Sequence, residues 1–112
     1  MKKIEAVVKP EMFDEIKEAL NASGVKGITI SQVLGHGNQK GQKQFYRGVQ
    51  TGVNLLPKIK IEAVVHDSEV EKIIDVILKT AQTGSIGDGK IFVYNVEEAI
   101  RIRTGEKGDD AL

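Results

Sequence analysis

Apolar and polar residues alternate along four stretches of the chain, with the period of two that is typical of strands with one buried face. The alternation covers residues 3–8, 27–34, 58–65 and 90–96. It is clearest in the third stretch, where the positions that share one side are Ile59, Ile61, Ala63 and Val65. The pattern therefore predicts four strands.

Two intervening stretches follow the period of an α-helix instead. The first begins near Pro10, which costs no hydrogen bond in a first helical turn, and ends at Gly24, a residue suited to a helix C-terminus. Its apolar face consists of Phe13, Ile16, Ala19 and Leu20. The second begins at Ser68 and Glu71, which match the S-x-x-E pattern of a capping box, and ends near Gly84. Its apolar face consists of Val70, Ile73, Ile74, Ile77, Leu78 and Ala81.

The resulting order βαββαβ predicts an α+β, ferredoxin-like domain over residues 1–112, with both helices on one face of an antiparallel sheet. The other face then has no cover, and its apolar residues are Val7, Val33, Val64, Phe92 and Tyr94. Such a face is too apolar for free solvent, so we expect a homo-oligomer. A short extended run at residues 99–105 and a polar tail at 106–112 complete the chain.

A long connection, residues 36–55, joins the second and third predicted strands. It is far too long for a hairpin turn, and connections of more than roughly 12 to 15 residues are usually functional or disordered. It carries the cations Lys40, Lys43 and Arg47, and no acidic residue lies between His36 and Asn54. We therefore expect it to attract an anion or an electronegative partner, and a solvated insertion is the alternative.

Composition limits the classes of function that the chain can serve. Lys plus Arg and Asp plus Glu number 16 each, so the global charge gives no attraction to nucleic acid or anionic lipid. The absence of cysteine excludes thiolate chemistry, and His36 and His66 lack partners at metal-ligand spacing. We see neither a signal peptide nor a membrane-spanning run, and we expect a soluble, cytoplasmic protein.

The segment G84-S-I-G-D-G-K90, here called the glycine turn, matches the first seven positions of the P-loop pattern G-x-x-x-x-G-K. Ile91 stands where a P-loop has its magnesium-binding Ser or Thr, and the turn leads into a strand, so a P-loop NTPase is disfavoured. Gly87 and Gly89 could still aim backbone N–H groups at a phosphate beside Lys90. The alternative is an ordinary turn between helix and strand.

Further cations could converge on the same ligand. Arg101 and Arg103 lie two apart in the predicted extended run, which would place both on one face, and each guanidinium can bind two phosphate oxygens. Lys58 and Lys90 begin the third and fourth predicted strands. The alternative is a solvated edge strand that the arginines keep from aggregating.

Five separated motifs resemble the PII nitrogen-regulatory signal-transduction proteins, and the resemblance covers essentially the entire chain. They are G35-H-G-N-Q-K-G41, Y46-R-G48, N54-L-L-P-K58, T83-G-S-I-G-D-G-K-I-F-V93 and I100-R-I-R-T-G-E106. The resemblance implies a barrel-like homotrimer with the open sheet faces turned inward. It also implies clefts between subunits in which ATP and ADP compete.

The residues that match the family's sites are carried over by position. The resemblance implies that the nucleotide-binding residues are Thr29, Gly35, Gly37, Asn38, Glu62, Val64, Gly87, Asp88, Gly89 and Lys90, with Arg101 and Arg103 reaching in from a neighbour. In the presence of MgATP, 2-oxoglutarate is expected to contact Gly37, Gln39, Lys40, Gly41 and Lys58, with Mg²⁺ beside Gln39. Tyr46, Arg47 and Gly48 would meet a protein partner, and Arg47 matches the residue that plugs an ammonium transporter.

Three departures from the family pattern matter. Thr51 stands where the family has its modified tyrosine, and Val49 replaces a serine that is phosphorylated in some relatives, so we expect regulation by ligands alone. Asn38 replaces an arginine that commonly contacts the terminal phosphate of ATP. The sequence therefore predicts a non-enzymatic sensor of nucleotide and 2-oxoglutarate, found at a membrane only through a transporter. The alternatives are a regulator with different ligands and a slow ATP-hydrolysing enzyme.

Overall fold

Strands and helices follow one another in the predicted order, in a computed structural model that describes residues 1–36, 45–46, 49–50 and 55–112. The strands are β1 (Lys2–Val8), β2 (Thr29–Gly35), β3 (Phe45–Tyr46), β4 (Val49–Gln50), β5 (Leu56–Val65) and β6 (Gly89–Asn95). The helices are α1 (Phe13–Ala22) and α2 (Val70–Ala81), with short 3-10 helices at Pro10–Met12, Asp67–Glu69 and Gly108–Ala111.

The main sheet has the order β2-β5-β1-β6, and every neighbouring pair of strands is antiparallel. The register pairs Ile4 with Ala63 and Ala6 with Ile61, so the apolar positions of the two central strands share one face. Both helices pack on that face. The architecture confirms the predicted α+β, ferredoxin-like fold.

The core lies between the sheet and the two helices, as the periodicity predicts. Its buried apolar residues are Ile4, Ala6, Val8, Ile16, Leu20, Val25, Ile61, Ala63, Val65, Ile73, Ile77 and Ala81. Leu78 is the exception on the apolar face of α2, because its side chain remains 47% exposed.

The two ends of α1 follow their sequence signals. Pro10 opens a 3-10 turn that leads into Phe13. At the other end Gly24 takes a φ of +87°, and its N–H donates to the carbonyl of Asn21 at 3.1 Å. The N–H of Val25 donates to the carbonyl of Leu20 at 3.2 Å, and both side chains are buried. This is a Schellman motif, and it confirms Gly24 as the residue that ends the helix.

The capping box predicted at Ser68 and Glu71 is wrong. Ser68 lies inside the 3-10 helix Asp67–Glu69, and no side-chain hydrogen bond caps either that turn or α2. An N-cap residue needs extended backbone, and here His66 has it, with φ −65° and ψ 149°. The extra 3-10 turn therefore removes Ser68 from the capping position.

The extended run predicted for residues 99–105 is also wrong. The chain turns at residues 102–104, where the N–H of Arg101 donates to Glu106 at 2.9 Å and the N–H of Gly105 donates to Arg101 at 2.7 Å. Gly105 permits the reversal because it takes a φ of +74°. The period-two argument that placed Arg101 and Arg103 on one face does not apply inside such a turn. The predicted polar tail folds back as well, since Lys107 pairs with Ile100.

The long connection contains a short antiparallel ribbon that the sequence did not predict. Phe45 pairs with Gln50, and Tyr46 pairs with Val49. The rest of residues 37–54 lies outside the described part of the chain. Among the residues that are described, no helix is both long enough and apolar enough to cross a membrane.

The sheet face opposite the helices carries the apolar residues that the sequence placed there. The register puts Val7, Val33 and Val64 on this open face together with Phe92 and Tyr94, and each of these two rings is 44% exposed. Charged residues lie among them: Lys3 is 3.5 Å from Glu62 and 4.5 Å from the centre of the Tyr94 ring, whose hydroxyl donates to Glu5 at 3.2 Å. The open face thus combines apolar side chains with charged side chains that pair with one another.

The core assignment predicts a large loss of stability on truncation of Ile73, which is 1% exposed. Ile73→Ala should lower the free energy of unfolding in urea by about 2–5 kcal/mol, because it leaves a cavity between helix and sheet. Ile102→Ala removes the same atoms from a fully exposed position and should change it by less than about 0.5 kcal/mol. Equal losses for the two variants would contradict the packing described.

Candidate functional site

The glycine turn lies at one end of the sheet, here called the turn end. Gly89, the first residue of β6, pairs with Val8, the last residue of β1. Val8 also pairs with Ile59, near the start of β5, and Gly35 at the end of β2 pairs with Leu56. The ends of two strands and the beginnings of two others therefore surround the turn.

Lys58 connects the start of β5 to the glycine turn. Its Nζ donates a hydrogen bond to the carbonyl oxygen of Gly87 at 2.8 Å, in a partly buried setting. The aliphatic part of the side chain lies against Gly35, where an added Cβ would be 3.0 Å from the Lys58 Cγ. The structure thus brings together three residues that the sequence assigned to ligand binding.

Three glycines of the turn have left-handed backbone. Gly84 has a φ of +84°, Gly87 a φ of +97° and Gly89 a φ of +109°, all in the region that favours glycine. At Gly89 an added Cβ would lie 1.8 Å from the carbonyl oxygen of Val7, which is far inside any allowed contact. The backbone can approach β1 this closely only without a side chain. Backbone of this kind can present N–H groups to an anion.

The carboxylate of Asp88 is held by donors on both sides of the turn. It accepts hydrogen bonds from the N–H of Thr83 at 2.7 Å, from the Thr83 hydroxyl and from the N–H of Gly84 at 2.9 Å. The Nζ of Lys9, at the end of β1, lies 3.1 Å from its Oδ1. The hydrogen bonds from Thr83, aided by Lys9 and Gly84, hold the pKa of Asp88 well below its usual range.

Three lysines therefore belong to the turn end. Lys9 is paired with Asp88 and Lys58 is bonded to Gly87, whereas the side chain of Lys90 is exposed. Lys90 pairs with Val7, so it lies on the open face of the sheet. The charge of Asp88 is offset by Lys9, and an anion at the turn would meet a net positive surface.

Three residues that the resemblance assigns to nucleotide binding, Thr29, Glu62 and Val64, lie farther along the open face. Thr29 and Glu62 are direct cross-strand partners, and Val64 follows on the same face of β5. Glu62 is 3.5 Å from Lys3 and 3.6 Å from Lys60. These three residues share a surface with Lys90, but they are separate from the hydrogen-bonded turn.

The two arginines lie beyond the opposite end of β6. Arg101 is 2.9 Å from the Glu106 carboxylate and donates to the carbonyl of Leu112 at 3.2 Å, while Arg103 is exposed. A strand of this length separates its ends by roughly 20 Å at about 3.3 Å per residue. Within the described residues, neither arginine bonds to the glycine turn. One chain does not bring these predicted site residues together.

The remaining predicted residues lie outside the described part of the chain. They are Gly37, Asn38, Gln39, Lys40, Gly41, Arg47, Gly48 and Thr51. For Tyr46 only the backbone pairing is described. Among the described residues, no group of three His, Cys, Asp or Glu side chains could hold a metal ion.

Sequence reasoning did not place Lys9 and Thr83 beside Asp88. Thr83 is the first residue of the motif at residues 83–93, so the sequence indicated that its position matters. The sequence did not indicate that its hydroxyl bonds to Asp88. Lys9 gave no comparable signal, because it is 79 residues from Asp88 and meets it only through the pairing of β1 with β6.

Comparison with known proteins gives a consistent result over the whole chain. The family described as "Nitrogen regulatory protein P-II" matches residues 1–106. Proteins named "Nitrogen regulatory protein P-II" are 58% identical in Rhodospirillum rubrum, 59% in Bradyrhizobium diazoefficiens and 55% in Haemophilus influenzae. Each of these comparisons spans 112 residues, which is all of this chain and all of the relative.

The close approach at Gly89 predicts that this position tolerates no side chain. Gly89→Ala should lower the free energy of unfolding by more than about 2 kcal/mol, because the new Cβ strains the backbone and forces the turn away from Val7. Gly27→Ala is the matched control, since nothing lies within 4 Å of its Cβ position, and it should have an effect below about 0.5 kcal/mol. Urea denaturation measures both, and an unaffected Gly89→Ala would disprove the close approach.

Proposed function

The chain belongs to the P-II family of nitrogen regulatory proteins, and on that premise we propose that its glycine turn binds the phosphates of ATP or ADP. Bound MgATP would then allow 2-oxoglutarate to bind beside it. The protein acts as a signalling regulator without catalysis, and residues 36–55 pass the ligand state to a target such as an ammonium transporter.

The shape and charge of the turn support phosphate binding. Gly87 and Gly89 hold left-handed backbone that can direct N–H groups at an anion, and Lys90 supplies an exposed ammonium group beside them. Asp88 does not oppose the anion with a free charge, because Lys9 is only 3.1 Å from it. Phosphate, rather than a neutral ligand, suits this combination.

The hydrogen bond from Lys58 to Gly87 is the observation that carries the proposed coupling. It joins the glycine turn to β5 only three residues beyond Leu55, where the described chain resumes after the long connection. A carboxylate that draws the Lys58 ammonium away breaks this bond, and the start of β5 is then free to shift. Ligand binding thereby selects among arrangements of the connection.

We propose that a magnesium ion at this site would be held mainly by oxygens of the bound ligands. Mg²⁺ commonly keeps one or two protein groups and takes the rest of its oxygens from phosphates and water, and the described residues offer no acidic cluster of their own. When bound, the ion would neutralise phosphate charge and orient the keto acid. We propose that Gln39 holds the magnesium ion and that Lys58 pairs with the carboxylate of 2-oxoglutarate that is distal to the ion.

A site that uses both the turn and the arginines requires a second protomer. Arg101 is bonded to Leu112 beyond the far end of β6, a strand of roughly 20 Å, and Arg103 lies in the turn that follows, so we expect a neighbouring chain to supply Arg103. The open face gives a reason for association, since Phe92 and Tyr94 are each 44% exposed on it. We therefore propose a homotrimer in which Lys90 of one chain and Arg103 of the next bind one nucleotide.

The long connection is suited to an electronegative or anionic partner surface. It carries Lys40, Lys43 and Arg47 and no acidic residue. In the sequence, Arg47 and Gly48 lie between strands β3 and β4. These two strands pair, and their register places Tyr46 opposite Val49. We propose that this segment, led by Arg47, contacts the transporter and that ligands control its availability.

Isothermal titration calorimetry tests the ligand assignment. ATP and ADP should each bind with saturable heat, and 2-oxoglutarate should bind only when MgATP is present. Lys58→Met should weaken 2-oxoglutarate binding by about tenfold or more, because it removes the group that pairs with a carboxylate. Lys17→Met removes the same charge from the exposed surface of α1, on the helix side of the sheet, and should leave the affinities for ATP and 2-oxoglutarate unchanged.

The outcomes separate the candidate functions. Nucleotide binding without any 2-oxoglutarate heat would indicate a regulator with different effectors. Steady phosphate release from ATP would contradict the non-enzymatic assignment. A protein that binds neither ATP nor ADP would overturn the proposal itself.

A mixing experiment tests whether two protomers share the site. Lys90→Ala and Arg103→Ala should each weaken ATP binding by about tenfold or more when every chain carries the change. Co-refolding the two variants in equal amounts should restore full affinity at about a quarter of the sites, where both intact groups meet by chance. If the mixture never regains high-affinity sites, the two residues do not act across one interface.

A further inference from the structure

Asp88 lies between the two glycines whose conformation the binding site requires. Gly87 and Gly89 can reach left-handed backbone without strain, but the same freedom lets an unliganded turn populate other conformations. A binding turn therefore needs contacts that select one conformation before the ligand arrives. The contacts of the Asp88 carboxylate are of this kind, and they add to the bond from Lys58 to Gly87.

The first contacts close the turn on itself. Asp88 Oδ2 accepts the N–H groups of Thr83 at 2.7 Å and Gly84 at 2.9 Å, and its Oδ1 accepts the Thr83 hydroxyl. The Thr83 hydroxyl oxygen in turn accepts the N–H of Ser85 at 3.2 Å. One carboxylate thus fixes both the entrance and the exit of the glycine turn.

The second contact ties the closed turn to the sheet. Lys9 follows Val8, the strand partner of Gly89, and its Nζ lies 3.1 Å from Asp88 Oδ1. Pro10 keeps the preceding backbone extended, and Lys9 has φ −64° and ψ 139°. The lysine therefore leaves the end of β1 with a restricted backbone and reaches the turn from the neighbouring strand.

We propose that Lys9, Thr83 and Asp88 form a clamp that holds the glycine turn in its anion-binding shape. Lys9 and Thr83 are positioning residues in this arrangement, and the Asp88 carboxylate serves the turn rather than the ligand. Lys9 also offsets the charge of Asp88 close to the incoming phosphates. The proposal deepens the proposed function and rests on the turn binding a nucleotide.

Calorimetry on paired variants tests the positioning roles. Lys9→Met should lower the affinities for ATP and ADP by about tenfold, because it frees the turn and leaves the Asp88 carboxylate without its counter-ion. Lys9→Arg keeps the positive charge and should retain most of the affinity. Thr83→Val should weaken both nucleotides similarly, and Thr83→Ser, which keeps the hydroxyl, should not. Lys17→Met, on the exposed surface of α1, controls for the loss of one positive charge.

Two further readouts separate a clamp from a direct ligand contact. Asp88→Asn should lower the affinity for ADP by the same factor in the presence of Mg²⁺ and in the presence of EDTA, because the clamp acts without a metal. In the ligand-free protein, Lys9→Met and Asp88→Asn should both accelerate amide hydrogen exchange at Thr83 and Gly84, whose N–H groups bond to Asp88. This second measurement requires no nucleotide, so it tests the clamp even if the proposed ligand is wrong.

The opposite results would overturn the clamp. Unchanged exchange at Thr83 and Gly84 in both variants would show that these contacts do not hold the turn. Tighter nucleotide binding by Asp88→Asn would show that the carboxylate only repels the ligand. A loss of ADP affinity that occurs with Mg²⁺ but not with EDTA would show that the carboxylate contacts the metal. A wild-type protein that binds no nucleotide contradicts the proposed function, while faster exchange in the variants would still support the clamp.

Discussion

The close approach of Gly89 to the backbone of Val7 is the constraint on which the candidate site depends. A Cβ at this position would be 1.8 Å from the Val7 carbonyl oxygen, so the start of β6 can pair with the end of β1 only because the residue is glycine. That pairing places the glycine turn beside Lys9 and directs Lys90 onto the open face. Without it, the lysines and the left-handed backbone would not share one end of the sheet.

The candidate site residues lie at two ends of the molecule, and the length of the strands separates them. Lys58, the glycine turn and Lys90 lie at one end, whereas Arg101 is bonded to Glu106 and Leu112 beyond the other. A ligand that needs both groups of cations must therefore lie between two chains. The partly apolar open face and the separation of the cations lead to the same requirement, which gives the proposed homotrimer a structural purpose.

Lys58 links the site to the part of the chain that we expect to meet a partner. Its hydrogen bond to Gly87 crosses between β5 and the glycine turn, and its stem lies against Gly35 at the end of β2. The two strands that border the long connection thus meet at one side chain. A change at that side chain can reach both borders at once, which is the geometry that a ligand-controlled connection requires.

The sequence by itself determined the four strands of the main sheet, the two α-helices, the core and the open face, because alternation and helical periodicity report which side of each element is buried. It also identified the glycine turn, since a left-handed backbone position depends on residue type. Only the tertiary structure showed that Ser68 lies within a 3-10 turn and that Arg101 and Arg103 belong to a reversal at Gly105. The contact between Lys9 and Asp88 was likewise invisible along the chain, because it joins residues 79 positions apart. Local patterns record local burial, whereas partners that meet across paired strands are decided by the register of the folded sheet.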